Sequence, residues 1–340
     1  TGMYAGGIAG YVGSYGTTAL PIQLQGKADT SLVEGGTVTG GQAAGGLFGK
    51  LEKSLGSLYL NPEQGTTPLV VSGVTISGMD AGGLVGTVKE AKDARLENVQ
   101  VKNCSITASI PKNNNTLVAG GSAAGGLFGS CSLATGQTLK LYDLELTGNT
   151  ILYQTETDTL QDKETGTNTE NFISVGGLIG TVRSNAQGQV LADHIVLDAA
   201  NQVGVRKAAG GTVQLIRKDG TPYKLADLTA PTGATNQDAL NNLAETYGSF
   251  VGTLIGTVNT TQASIDMMHV WTSKDFYEIP RLSQTNLPVV DVGRTGSQNV
   301  YSYRQSCHIL YGDENSDTAQ GNIARMKHCL LYTSDAADDR

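Results

Sequence analysis

The chain repeats one short rhythm: two glycines, two apolar residues, a third glycine, a polar residue and an apolar one. It reads Ala5-Gly-Gly-Ile-Ala-Gly-Tyr-Val12, Ala44-Gly-Gly-Leu-Phe-Gly-Lys-Leu51, Ala81-Gly-Gly-Leu-Val-Gly-Thr-Val88 and Ala124-Gly-Gly-Leu-Phe-Gly-Ser-Cys131. Val175-Gly-Gly-Leu-Ile-Gly-Thr-Val182 and Val251-Gly-Thr-Leu-Ile-Gly-Thr-Val258 complete the set. First glycines fall at 6, 45, 82, 125, 176 and 252, giving steps of 39, 37, 43, 51 and 76. The last step is close to two ordinary ones, so Ala209-Gly-Gly-Thr-Val213 is read as a degenerate copy between. Period-two alternation puts Leu47, Gly49 and Leu51 on one side of a strand. Phe48, Val85, Phe128, Ile179 and Ile255 fill the intervening place, so the strand begins apolar on both faces and is expected to be covered twice. The glycine pair is expected to supply left-handed freedom at a corner, and the mid-strand glycine to mark a crowded column or a bulge.

Further strand patterns follow several of the copies. They lie at Leu55 to Leu60, Leu96 to Ile106 and Leu139 to Leu146, with weaker versions at Leu191 to Leu197 and Ile265 to Trp271. A third patch follows at Leu69 to Ile76 and Thr150 to Tyr153. Repeats of about 40 residues mark units that bury their apolar faces by stacking on a neighbour. The expected fold class is therefore all-β, a right-handed-type repetitive parallel β-solenoid (β-helix-like) of about seven coils. A two-sheet β architecture is the alternative. Neighbouring coils would stack about 4.8 Å apart, and one or two coils per repeat are equally compatible with the spacing.

Polar insertions are expected at one corner before the motif, at Gly35 to Gln42, Pro111 to Gly121, Gln154 to Asn171 and about Lys218 to Ser249. Gln154 to Asn171 is too polar to pack and reads as a surface loop. The longest insertion carries a hairpin turn at Lys218-Asp-Gly220 and a short helix over Asn236 to Glu245. By domain, residues 1–282 form the array, with the insertion near 218–249, and 283–328 a partial following unit or linker, with strands at Leu287 to Val292 and Asn299 to Arg304. Residues 329–340 resemble a translated sequencing adapter through Asp338 and are set aside. Thr1 opens the chain without methionine inside the first repeat, as expected of an internal fragment from assembled metagenomic reads. Both ends would then expose coil edges that a longer protein covers.

Glycine accounts for 45 of 340 residues, and charged residues for 16% against a usual share of about 25%. The net charge of −8, without a basic stripe, argues against nucleic acid and anionic membranes. No run of 18 apolar residues is present. Cys131 occupies the column of Val12, Leu51, Val88, Val182 and Val258 and reads as a small buried hydrophobe, as does Cys104 in the following strand. Setting Cys329 aside leaves three cysteines, with Cys307 undecided, which does not suggest a disulfide framework.

The motif followed by a strand such as Leu96-Glu-Asn-Val-Gln-Val-Lys-Asn-Cys-Ser105 resembles the GLUG repeat of large bacterial surface proteins, adhesin-like proteins and the non-catalytic regions of some peptidases. The resemblance covers roughly residues 3 to 272; Thr253 and the uneven spacing depart from it. It implies a secreted or cell-surface location and a β-rich scaffold, with no active site.

Catalytic signatures are weak. His194, His269, His308 and His328 are too dispersed for a helical zinc-peptidase pair. Gly45 to Lys50 lacks the phosphate-loop glycine, replaced by Ala44, and has Leu51 where Ser or Thr is needed. Asp80 precedes one copy alone and reads as a turn residue, so no calcium nonapeptide is present. No catalytic, cofactor-binding or metal-ligating residue is assigned, and no cofactor is expected. The candidates for a carbohydrate-active β-helix enzyme (lyase or glycosidase) are Asp193-His194, Asp266 with His269, and Asp275 with Glu278 and Arg281. They read first as solvated strand or turn residues. Trp271, beside Phe276 and Tyr277, reads as a core plug before a sugar platform. The leading expectation is a non-enzymatic structural or adhesive segment with host or microbial surface glycans or proteins as partners; a pure spacer for an effector domain is another.

Overall fold

The computed structural model describes residues 2–13, 22–26, 31–52, 58–62, 68–91, 94–109, 112–113, 116–117, 121–156, 159–161, 173–183, 188–197, 201–209, 214–216, 251–252, 254–259, 264–272, 292–295 and 300–302. Every regular element among them is a β-strand. All strand pairs are parallel except one small hairpin, Lys112–Asn113 with Thr116–Leu117. The described residues are thus all-β, with parallel strands collected into three extended sheets, a layout consistent with a parallel β-solenoid.

The first sheet stacks Gly2–Gly6, Thr37–Gly45, Asp80–Gly82, Ser122–Gly125, Ile173–Gly176 and Val251–Gly252. The second stacks Ala9–Gly13, Phe48–Glu52, Val85–Ala91, Phe128–Leu133, Ile179–Arg183, Ile255–Asn259 and Val292–Thr295. The third holds Ile22–Gly26, Leu58–Pro62, Arg95–Lys102, Thr138–Thr147, Gln189–Leu197, Ser264–Thr272 and Val300–Ser302, with Ser31–Glu34 and Leu69–Ser72 paired alongside. Return strands Thr75–Gly78, Ser105–Ala108, Thr150–Thr155 and Gln202–Lys207 join the first sheet through Thr37–Gly45.

Successive motif copies pair directly. Gly6, Gly45, Gly82, Gly125, Gly176 and Gly252 stand opposite one another in turn. Gly176 meets Gly252 without an intervening level, so 209–213 is not a copy in the stack; the long step is one level with a long excursion. Leu47, Leu84, Leu127, Leu178 and Leu254 form a ladder exposed by no more than 1%. Their backbones are linked as well. Each ladder carbonyl accepts two N–H groups from the level before: Leu84 O takes Leu47 N at 2.9 Å and Phe48 N at 3.0 Å.

The glycines answer to space rather than to torsion. Positive φ among the described glycines occurs at Gly35, Gly36, Gly73, Gly136 and Gly148, none of them in the motif, which corrects the expectation for the glycine pair. A Cβ on Gly86 would sit 2.6 Å from Ala44 N and 2.7 Å from both Ala44 O and Gly49 O. One on Gly129 would sit 2.7 Å from Ala81 N and Gly86 O. The second glycines abut the next level's glycine carbonyl (Gly46 on Gly83, Gly83 on Gly126), and a Cβ would also meet third-sheet Val71 and Val101 at 3.0 Å. First and second sheets therefore approach backbone to backbone, and no side chain fits between them.

Left-handed φ is used where the third sheet turns into the return strands. Gly35, Gly73, Asn103 and Gly148 hold that corner at φ 67°, 65°, 52° and 66°. After Gly73, Asn103 and Gly148 come Val74, Cys104 and Asn149, and Asn201 takes the same place one level on, all four buried; after Gly35 comes the exposed Gly36. Asn149 Nδ2 donates to Val101 O (2.8 Å) and Asn201 Oδ1 (3.0 Å), and its Oδ1 accepts from Cys104 N at 2.9 Å. Asn201 Nδ2 donates to Leu146 O at 2.7 Å. Cys104 thus lies at the corner, not within a strand. Cys131 sits in its expected column, fully buried, with burial pushing its thiol up to about 12.

Other expectations shift. Gly35 to Gln42 is not an insertion, because Thr37, Val38 and Thr39 alternate and pair with Thr75, Ile76 and Ser77. Gln154 and Thr155 end a strand, and Thr159–Gln161 pairs in parallel with Gln214–Ile216, so part of the polar loop is ordered. Excursions therefore fall between Ala108 and Ser122, Thr155 and Ile173, and Lys207 and Val251. Others interrupt the third sheet, between Gly26 and Ser31 and between Pro62 and Leu69. Asp80 is a buried strand residue whose Oδ2 accepts from Thr87 Oγ1 at 2.9 Å. Val292–Thr295 and Val300–Ser302 extend the sheets, and 287–291 of the expected strand lie outside the described residues. The hairpin at 218–220, the helix at 236–245 and Cys307 lie outside the described residues.

Candidate functional site: the kinked outer row of the third sheet

Alternation along the third sheet breaks at one place on three successive levels. Leu96 and Val99, Leu141 and Leu144, and Ala192 and Ile195 point inward, and each pair is separated by two residues that are not buried. The second residue of each doublet is left-handed: Asn98 (φ 51°), Asp143 (52°) and His194 (56°). Asn, Asp and His are the non-glycine residues that best tolerate this conformation, so the backbone itself accounts for their presence. The first residues, Glu97, Tyr142 and Asp193, stand in register.

These doublets gather a guanidinium, an aromatic ring, three carboxyls and an imidazole. Arg95 Nη2 pairs with Glu97 Oε2 at 2.7 Å, and its guanidinium lies 5.5 Å from the Tyr142 ring centroid. His194 Nδ1 approaches Asp193 Oδ2 at 3.4 Å. Desolvation holds the Asp143 carboxyl above its ordinary value, aided by Glu97 and Asp193 and opposed by Arg95. Chemically the row offers hydrogen-bond acceptors, one fixed cation and a ring edge, a set suited to polyhydroxylated ligands. No group of three or more metal-ligating side chains is placed to hold an ion among the described residues.

A second cluster lies on the second sheet near the first level. Glu52 accepts from Lys50 and Lys89, both at 2.8 Å, and from Tyr11 Oη at 3.2 Å. Lys50 Nζ lies 5.0 Å from the Tyr4 ring and 5.6 Å from Tyr11, rings that stack on each other. The Lys50 hydrogen bond, then that of Lys89, pulls the Glu52 carboxyl down to about 2. This constellation is internally satisfied and ties neighbouring levels together.

Among the sequence candidates, Asp193 faces Met268 while Asp266 faces Leu191, so these two aspartates are two register positions apart rather than opposite. His269 occupies the register position beside His194. Asp275, Phe276, Tyr277, Glu278, Arg281, His308 and His328, and the side chains of Asp266, His269 and Trp271, lie outside the described residues. Sequence reasoning missed Arg95, Glu97, Tyr142 and Asp143. Their signal was the repeated outward doublet, Leu-Glu-Asn-Val, Leu-Tyr-Asp-Leu and Ala-Asp-His-Ile, which interrupts strict alternation. Among the described residues no helix is long and apolar enough to cross a membrane. Compared with protein-family models, curated proteins and solved structures, the chain finds no match.

Proposed function

We propose that this chain is a non-enzymatic structural and adhesive segment of a large secreted or cell-surface bacterial protein, a parallel solenoid of about seven coils resembling the GLUG repeats. One observation carries this reading. The repeated residues are consumed by backbone packing, while the longest excursions leave between the return strand and the next motif strand at three successive levels. Long insertions grouped on one face of a stacked array often form its binding face. The partners are surface glycans or proteins. A glycan array with the full chain tests it, alongside a variant lacking 162–171, which spares the paired strand Thr159–Gln161. Binding lost with the loop supports adhesion; no binding at all favours the spacer reading.

A carbohydrate-active enzyme is the second reading, favoured by the mutual influence of Asp143, Glu97 and Asp193 beside Arg95. It requires release of reducing ends from a polysaccharide panel, abolished by Asp143→Asn. Intact polysaccharides throughout would remove it.

A further inference from the structure

His194 and His269 lie 75 residues apart in the chain, too far for a pair on one helix, yet the stack makes them neighbours. Asp193 stands opposite Met268 and Ile195 opposite Val270, so His269 falls at the position facing His194. One level earlier, Tyr142 stands opposite Asp193 and Leu144 opposite Ile195, which sets Asp143 opposite His194 on its other side. Asp143, His194 and His269 therefore occupy one column of the third sheet at three successive levels. Adjacent strands lie about 4.8 Å apart, so His194 has a carboxyl-bearing residue one step away and an imidazole-bearing residue one step the other way. The left-handed torsion at His194 admits Asn, Asp or His. It gives no reason for a second histidine on the next level.

The surroundings of this column suit a cation. His194 Nδ1 approaches Asp193 Oδ2 at 3.4 Å, the carboxylate–imidazole arrangement that orients a ligating histidine and assigns Nε2 to the metal. Desolvation, with Glu97 and Asp193 adding to it, makes the ionised Asp143 carboxylate unfavourable, a disadvantage that a bound cation reverses. The fixed cation of the row, Arg95, pairs with Glu97 on the level before Asp143, at the far end from the histidines. The described side chains do not by themselves form a group of three ligands; the register position of His269 completes one.

We infer that this column binds one late first-row divalent transition-metal ion through His194, His269 and the carboxylate of Asp143, with Asp193 as a positioning residue. Imidazole donors favour zinc, copper and nickel, whereas calcium and magnesium take oxygen ligands. Three protein ligands leave one position of a tetrahedral site open. The ion spans three levels, so its binding clamps neighbouring coils together and stabilises the stack. The site stands apart from the adhesive reading and does not depend on it.

The test titrates zinc into the metal-free full chain by calorimetry, with calcium in parallel. Saturable uptake of zinc and none of calcium is expected. His194→Asn keeps a residue that tolerates the left-handed torsion, and circular dichroism checks that each variant is folded. His194→Asn and His269→Asn should each weaken zinc affinity at this site about a hundredfold, and Asp143→Asn and Asp193→Asn about tenfold. Copper(II) on the wild-type chain should show coupling to two imidazole nitrogens in electron paramagnetic resonance, and to one in either histidine variant. The wild-type spectrum decides alone where a variant does not fold. A chain that takes up no zinc, or takes up calcium equally well, overturns the inference. So does either histidine variant that retains wild-type affinity, since the two are then not ligands of one ion.

Discussion

The bend between the first and second sheets and the corner between the third sheet and the return strands solve the same problem, reversing a chain in register with its neighbours, by opposite means. At the bend, backbone lies on backbone, and Gly86 or Gly129 has no room for a methyl group. At the corner the demand is a left-handed torsion, met by Gly73, Asn103 or Gly148 alike, with buried contacts made in turn by Val74, Cys104, Asn149 and Asn201. A requirement for space fixes residue identity, whereas a requirement for torsion admits several residues. The bend therefore repeats visibly and the corner does not.

Substitutions at the two places should differ accordingly. Gly86→Ala forces a methyl into Ala44 and Gly49 backbone and is expected to cost about 3 kcal/mol or prevent folding; a urea midpoint near wild type would break the spatial argument. Leu127→Ala should cost about 3 kcal/mol by opening a cavity in the ladder. At the corner, Asn149→Ala deprives the Cys104 N–H and Val101 carbonyl of their partner, a loss of about 2–3 kcal/mol by thermal melting. Gly73→Ala should cost about 1 kcal/mol from torsion, since a Cβ there meets nothing nearer than 3.7 Å, while Asn103→Gly should stay within about 0.5 kcal/mol. Equal penalties at Gly86 and Gly73 would erase the distinction.

Two effects of ionisation are smaller. The Glu52 carboxyl is held at about 2 in the fold against an ordinary 4.5, so its anchorage is complete above pH 4.5 and is lost as pH falls toward 2. Acid titration followed by proton exchange should show the first two levels loosening in that window, and Glu52→Gln should flatten the response. Asp143 has the opposite sign. Its raised pKa makes its ionised form the less favourable one in the fold, so stability declines as pH rises through its titration. Asp143→Asn should be neutral to slightly stabilising at pH 7, by no more than about 0.5 kcal/mol; a marked loss would mean that the carboxylate has a partner Asn cannot replace.

Six copies in phase made the ladder and the parallel stacking legible in the sequence, because the first and third glycines recur in every copy and Leu fills five of the six ladder positions. The outer row of the third sheet was hidden for the converse reason. Asn98, Asp143 and His194 share a torsion but not a name, and two consecutive outward residues look like a lapse in alternation. Asn149 and Asn201 were equally silent, since buried asparagine shows itself through partners about fifty residues away. The degenerate copy at 209–213 failed because glycine pairs are common in a chain this rich in glycine. Register, not composition, decides which pairs stack.

Glycine-to-backbone contact also separates two lengths that most folds couple. Consecutive first glycines are 37 residues apart at one step and 76 at another, yet both steps advance the stack by a single level. Whatever leaves the coil can grow, shrink or be exchanged without re-solving the interior. Evolution is then free to vary the surface at almost constant structural risk.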